Sequence, residues 1–173
     1  MKQIAFLMVA VATVAGVVAS TAPAAGHADE EAAPIFGVKI PSGYRDWRLV
    51  SVAHEAGNLN DFRAILGNDV AIKAYREGKL PFPDGTILVR LAWSYVTSEE
   101  NNKVFGRDQS FVAGPPINVQ LMVKDSRKYA ATGGWGFGFF EDGKPVEGAP
   151  MNSCFPCHNQ AKASDLVFTH YAP

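Results

Sequence analysis

Residues 86–95, TILVRLAWSY, decide the fold class. Ile87, Val89, Leu91, Trp93 and Tyr95 alternate with Thr86, Leu88, Arg90, Ala92 and Ser94. Successive side chains of an extended chain point to opposite faces, so this period of two predicts a β-strand. The same period recurs on either side. Residues 47–54 (WRLVSVAH) put Trp47, Leu49, Ser51 and Ala53 on one face. Residues 117–123 set Val119, Leu121 and Val123 against Asn118, Gln120 and Met122. Residues 133–140 (GGWGFGFF) alternate Trp135, Phe137 and Phe139 with Gly134, Gly136 and Gly138. That strand has one aromatic face and one nearly bare face, which another group can approach closely. Residues 166–170 (LVFTH) read as a closing strand.

Helical signals are brief. Asn68 or Asp69 can cap a short helix that runs through Tyr75 and Arg76, and Gly78 supplies a left-handed stop. Pro81, Pro83, Asp84 and Gly85 form a turn. Residues 97–116 are polar, then rich in Gly and Pro, and read as a long loop. The fold class is α+β: a mainly antiparallel β-sheet with a few short helices.

The chain has 173 residues and a net charge of -1, which gives no basic surface for nucleic acid. Its N-terminus departs from globular composition. Lys2 precedes an apolar run over residues 4–18, followed by the small residues Ala22, Ala24, Ala25, Gly26 and Ala28. This is the three-part pattern of a secretory signal peptide over residues 1–28, cleaved after Ala24 or Ala28. The apolar run falls short of the roughly 20 residues that a spanning helix needs. The expectation is an exported, periplasmic domain over residues 29–173, with no membrane attachment after cleavage.

The chemistry concentrates near the C-terminus. The two cysteines of the chain fall in CFPCH, residues 154–158. CxxCH is the attachment pattern of a c-type haem. The thiols of Cys154 and Cys157 add to the two vinyl groups, and His158 is then placed beneath the iron as its axial ligand. One motif implies one covalent haem. A disulfide would not explain the adjacent histidine. A thioredoxin-type pair belongs at a strand-to-helix junction early in its domain. A structural zinc site wants two further ligands, and the mature domain offers His54 and His170, far apart in sequence.

The candidates for the second axial position are His54, His170, Met122 and Met151. His54 shares a strand face with Val50 and Val52, and His170 lies near the chain end, where fraying is common. Met151 is too close to Cys154 to reach round the ring. Met122 lies mid-strand, where methionine is usually core filler. An open, apolar distal site follows, which takes small molecules. Phe82, Phe105, Phe111, Phe137 and Phe139 are candidate caps over it, and Glu147 is the candidate proton acceptor.

Five stretches carry a family resemblance: PFPDGT (residues 81–86), LAW (91–93), VQLMVKDSRKYAATGGWGF (119–137), CFPCH (154–158) and VFTHYAP (167–173). Together they span nearly the whole mature domain, and the long middle run is the most specific. The chain resembles the cytochrome P-460 family, which includes the cytochromes c′-beta. The resemblance implies a mostly antiparallel sheet, usually as a homodimer. It implies a c-type haem ligated by His158 with the other face open, serving small nitrogen species and a soluble redox partner. One branch oxidises hydroxylamine; the c′-beta branch binds nitric oxide behind aromatic caps. In the hydroxylamine-oxidising members a lysine on the strand before LAW is joined to the porphyrin. Arg90 stands there in this chain, and neither Lys73 nor Lys79 matches the position. A guanidinium stays protonated and is a poor attacking amine, so the cross-link is not carried over. Arg90 is instead either a solvated strand residue or a candidate partner for a haem propionate, and the role near the haem is preferred.

Overall fold

The computed structural model describes residues 36–172, and the side chains of residues 149–151 are not described. The expected leader, its cleavage sites and the start of the domain at Asp29 lie outside the described residues.

The described residues form one six-stranded sheet in sequence order, every neighbouring pair antiparallel. The strands are β1 (Arg48–Glu55), β2 (Asp61–Gly67), β3 (Ile87–Thr97), β4 (Phe111–Lys124), β5 (Trp135–Glu141) and β6 (Lys144–Pro145). Three helices are inserted: α1 (Asp69–Arg76), α2 (Glu99–Phe105) and α3 (Ala149–His158). This is the α+β architecture that the period-two stretches imply.

The alternation in TILVRLAWSY becomes the central strand β3. Arg90 pairs with Ile65 of β2 and Gln120 of β4, and Leu88 pairs with Met122, which in turn pairs with Phe137. In α1 the Asn68 side chain accepts from the Ala71 amide at 3.0 Å, which satisfies one orphan donor of the first turn. Gly78 follows with φ of 59°. The α1 helix packs closely because residue 67 is glycine: a Cβ there would meet Ala71 Cβ and Val50 Cγ2 at 3.0 Å.

The bare face of GGWGFGFF serves close packing. A Cβ at Gly136 would overlap the Tyr129 ring, and one at Gly138 would come within 2.9 Å of Val38. Trp135, Phe137 and Phe140 are buried, and with Val50, Ile72, Val89 and Leu121 they form the centre of the core.

Four expectations change. Residues 97–116 are not a loop. Ser98 caps α2, with Oγ accepting from the Asn101 amide at 3.4 Å. Buried Asn102 then accepts from the amides of Gln109 (3.0 Å) and Ser110 (2.7 Å) and closes the connection to β4. Pro115 and Pro116 sit inside β4 where its register against β3 shifts, the place where a strand tolerates a residue without an N–H. Strand β2 escaped notice because Asp61, Arg63 and Ile65 face a cavity, so its inner face is polar. A bulge between Leu49 and Ser51 breaks the single face expected for residues 47–54. Finally, residues 166–170 are not a strand, because Asp165 and Leu166 adopt left-handed conformations (φ 51° and 68°). The segment runs on irregularly to Ala172, whose amide donates to Val50 O at 2.9 Å.

Candidate haem site

One face of the sheet, α3 and the C-terminal segment enclose a cavity of about 990 Å3. That is the upper end of the roughly 300–1,000 Å3 range of ligand pockets. Ser51, Ala53 and Glu55 come from β1, and Asp61, Arg63 and Ile65 from β2. Leu88 and Arg90 come from β3, Asn118, Gln120 and Met122 from β4, and Phe137 and Phe139 from β5. The sets from β1, β2 and β3 keep the two-residue spacing of one strand face, while β4 and β5 also contribute Ile117, Leu121 and Gly138. Cys154, Cys157 and His158 enter from α3, and residues 167–172 complete the wall.

Three- and four-residue spacings on a helix share a face, so α3 presents both thiols and the imidazole together. No disulfide joins Cys154 to Cys157. Burial pushes the Cys154 thiol up, so it waits protonated at neutral pH. The His158 ring lies between Phe137 and Phe168, each 5.2 Å away between centroids. Its Nδ1 is 2.7 Å from Leu166 O. A carbonyl only accepts, so Nδ1 carries the proton and Nε2 keeps its lone pair for a metal. Burial also holds the imidazole below the usual histidine range, which favours the neutral, ligating form.

A polar cluster occupies the β1–β3 side of the cavity. Buried Asp61 accepts from Arg63 Nε (2.7 Å) and Arg90 Nη2 (2.9 Å). Arg63 also pairs with Glu55 at 3.1 Å, and Arg90 Nη1 donates to Asn118 Oδ1 at 2.9 Å. Desolvation, then repulsion from Arg63, pulls the Arg90 guanidinium down to about 10, so it remains a cation at neutral pH. Among the described residues, its Nε is a buried donor without a partner. Arg90 is therefore partly buried and not fully satisfied by the protein.

The other expected residues separate. Glu147 is exposed and lies outside the cavity lining; the carboxylates that line it are Glu55 and Asp61. His54 faces away from the cavity, exposed and stacked on Tyr95 at 4.0 Å. Met122 lines the cavity beside Phe137, in the row that packs on His158, and His170 lines it from the exposed terminal segment. Of the five candidate caps, Phe137 and Phe139 line the cavity, Phe82 is in the core, and Phe105 and Phe111 are exposed. Phe168 beside His158 was missed, and so were Glu55, Asp61 and Arg63. Their signal was the alternation of Ser51, Ala53 and Glu55 and of Asp61, Arg63 and Ile65 on two adjacent strands.

A haem fits this donor set: two thiols and a neutral imidazole on one helix face, an apolar and aromatic wall, and a cationic group with an unused donor. Among the described residues no cluster of three or more His, Cys, Asp or Glu could hold a bare metal ion. No curated protein matches the chain. Residues 41–169 match the family model described as Cytochrome P460, so the chain belongs to the cytochrome P460 family and the cofactor this implies is a haem.

Proposed function

We propose that the chain is an exported, periplasmic cytochrome with one covalent haem c, which binds small nitrogen species, nitric oxide or hydroxylamine, at the face opposite His158. The observation that carries this reading is the convergence of Cys154, Cys157 and His158 on one cavity, with Nδ1 of His158 already engaged by Leu166 O. Cys154 and Cys157 would hold the macrocycle and His158 would ligate it from one side. Arg90 and Arg63 supply the cationic groups for its propionates or for an anionic ligand. When bound, the haem supplies an iron that accepts a nitrogen lone pair and exchanges electrons.

Binding without turnover is the reading favoured over catalysis, because Arg90 stands where the hydroxylamine-oxidising relatives place lysine. A protonated guanidinium is not a nucleophile toward a porphyrin carbon. If hydroxylamine is oxidised, its protons need an acceptor. Glu55 suits that role better than Glu147, since it lines the cavity, is half-buried and carries one ion pair. Asp61 is committed to two arginines.

Exposed Cys157 supports electron exchange with a soluble redox partner. The stacked rings of His54, Tyr95 and Phe111, with exposed Val52 nearby on the side away from the cavity, support a homodimer. No described helix is long and apolar enough to cross a membrane.

The optical spectrum of the ferrous holoprotein, read with its intact mass, tests the proposal. The expected result is an ordinary c-type spectrum and the mass of the mature chain plus one haem. A Soret band shifted strongly to the red would reveal a side chain joined to the ring and return the enzyme reading to first place. Nitric oxide titration should then perturb the spectrum; a six-coordinate resting state that refuses the ligand would sink the binding reading.

A further inference from the structure

Lys124 and Asp165 form a buried ion pair away from the cavity lining. Both carboxylate oxygens of Asp165 accept from Lys124 Nζ at 2.9 Å, and the third ammonium proton goes to Gly133 O at 3.1 Å. All three donors of the lysine are therefore used. The ammonium also lies 5.0 Å from the centroid of the Trp135 ring. Asp165 accepts further from the Phe82 amide at 2.8 Å, and its carbonyl accepts from Trp135 Nε1 at 2.8 Å.

This anchoring surrounds a strained turn. Asp165 and Leu166 are consecutive non-glycine residues in the left-handed region. Each is an unfavourable conformation for a residue with a Cβ and persists only where its surroundings over-determine it. The turn has one product that bears on the site: the Leu166 carbonyl, which accepts from His158 Nδ1. Leu166 itself packs against Gly133, where a Cβ would come within 2.9 Å of Leu166 Cδ1. Gly133 is also the residue whose carbonyl engages Lys124.

We infer that Lys124 and Asp165 are positioning residues for the axial histidine: their ion pair holds the left-handed turn that aims the Leu166 carbonyl at His158. The strength of that hydrogen bond sets how basic the imidazole is, and therefore how strongly it donates to iron. The inference rests on His158 being the iron ligand.

The test uses haem-loaded Lys124→Met, Lys124→Arg and Asp165→Asn. Asparagine tolerates the left-handed conformation, so Asp165→Asn removes the charge that Lys124 grips without adding a backbone penalty of its own, and any loosening of the turn then reports the lost ion pair. In Lys124→Met and Asp165→Asn the iron–imidazole stretch of the ferrous protein should fall to lower wavenumber in resonance Raman spectra. The reduction potential should rise, because a less basic imidazole stabilises ferric iron less. Lys124→Arg should return both toward the wild-type values. A loss of stability alone would leave both readouts unchanged in the folded, haem-loaded fraction, and that result would overturn the inference.

A measurement on the unmodified protein covers variants that fail to fold. The same turn carries the acceptors of His158 Nδ1–H and Trp135 Nε1–H. In the diamagnetic carbon monoxide complex the two protons should exchange with solvent at matching slow rates. Rapid exchange at His158 with protection at Trp135 would refute the coupling. Absence of haem from the wild-type protein would instead refute the cytochrome reading, so the two failures are distinguishable.

Discussion

Asp61 concentrates the electrostatics of the cavity in one side chain. It is buried, and it is shared by Arg63 and Arg90, which would otherwise face each other as like charges. Removing one partner of a buried pair leaves the rest uncompensated, which costs about 3–5 kcal/mol. Asp61→Ala should therefore lower stability by about 3 kcal/mol in chemical denaturation, the lower end of that range because Arg63 keeps Glu55. Adding Arg90→Met to that variant should recover part of the loss. If the double variant is no more stable than Asp61→Ala, the two guanidinium groups are not in opposition. The identity of Arg90 was readable from sequence, and so was its candidacy as a partner for a haem propionate. Its burial and its orphaned Nε were not readable, because they depend on Asp61 and Asn118, 29 and 28 residues away.

Strand β5 shows how far local pattern carries. The alternation of aromatic residues and glycine predicted both a strand and a close approach on the bare face. The approaching group is Tyr129, whose hydroxyl donates to Phe36 O at 3.1 Å and so holds the ring against Gly136. Gly136→Ala has no room unless that ring moves, and overpacking of this kind costs about 1–3 kcal/mol. The variant should unfold at correspondingly lower denaturant while Phe137, on the other face, still packs on His158. An unchanged midpoint would mean that Tyr129 is free to swing away. Strand β2 and the first half of β4 were missed for a common reason. Period-two reasoning looks for apolar residues inside and polar residues outside, whereas here the inner face is polar or the strand is interrupted by prolines at a register shift.

Across the whole molecule, the C-terminal segment ties the cavity to the core. Tyr75 of α1 donates its hydroxyl to Thr169 O at 3.2 Å and stacks on Tyr171. Burial pushes the Tyr75 phenol above the ordinary tyrosine value near 10. A raised value in the folded state means that the associated stability is present below the unfolded value and is lost as pH climbs toward the folded one. The protein should therefore lose stability above about pH 10, with the C-terminal segment pulling away from α1 as Tyr75 ionises. Tyr75→Phe should cost about 1 kcal/mol at neutral pH and flatten that alkaline limb. Denaturant melts across the pH range read both effects, and an unaltered alkaline limb in the variant would assign it to another group.

The sequence by itself determined the strands that alternate cleanly, the α1 cap and the thiol–thiol–imidazole motif. Each is a short-range feature, governed by backbone periodicity or by spacing on one helical turn. Only the tertiary structure decided that the chain makes a strained turn at Asp165 and Leu166 and then runs irregularly instead of forming a strand over residues 166–170, and which polar side chains share the cavity with CFPCH. Those outcomes depend on groups distant in the chain. Lys124 and Trp135 hold Asp165, while the antiparallel register sets Glu55, Asp61, Arg63 and Arg90 on the face that α3 covers. Burial, pairing and strain are properties of such long-range neighbours, and residue spacing alone does not encode them.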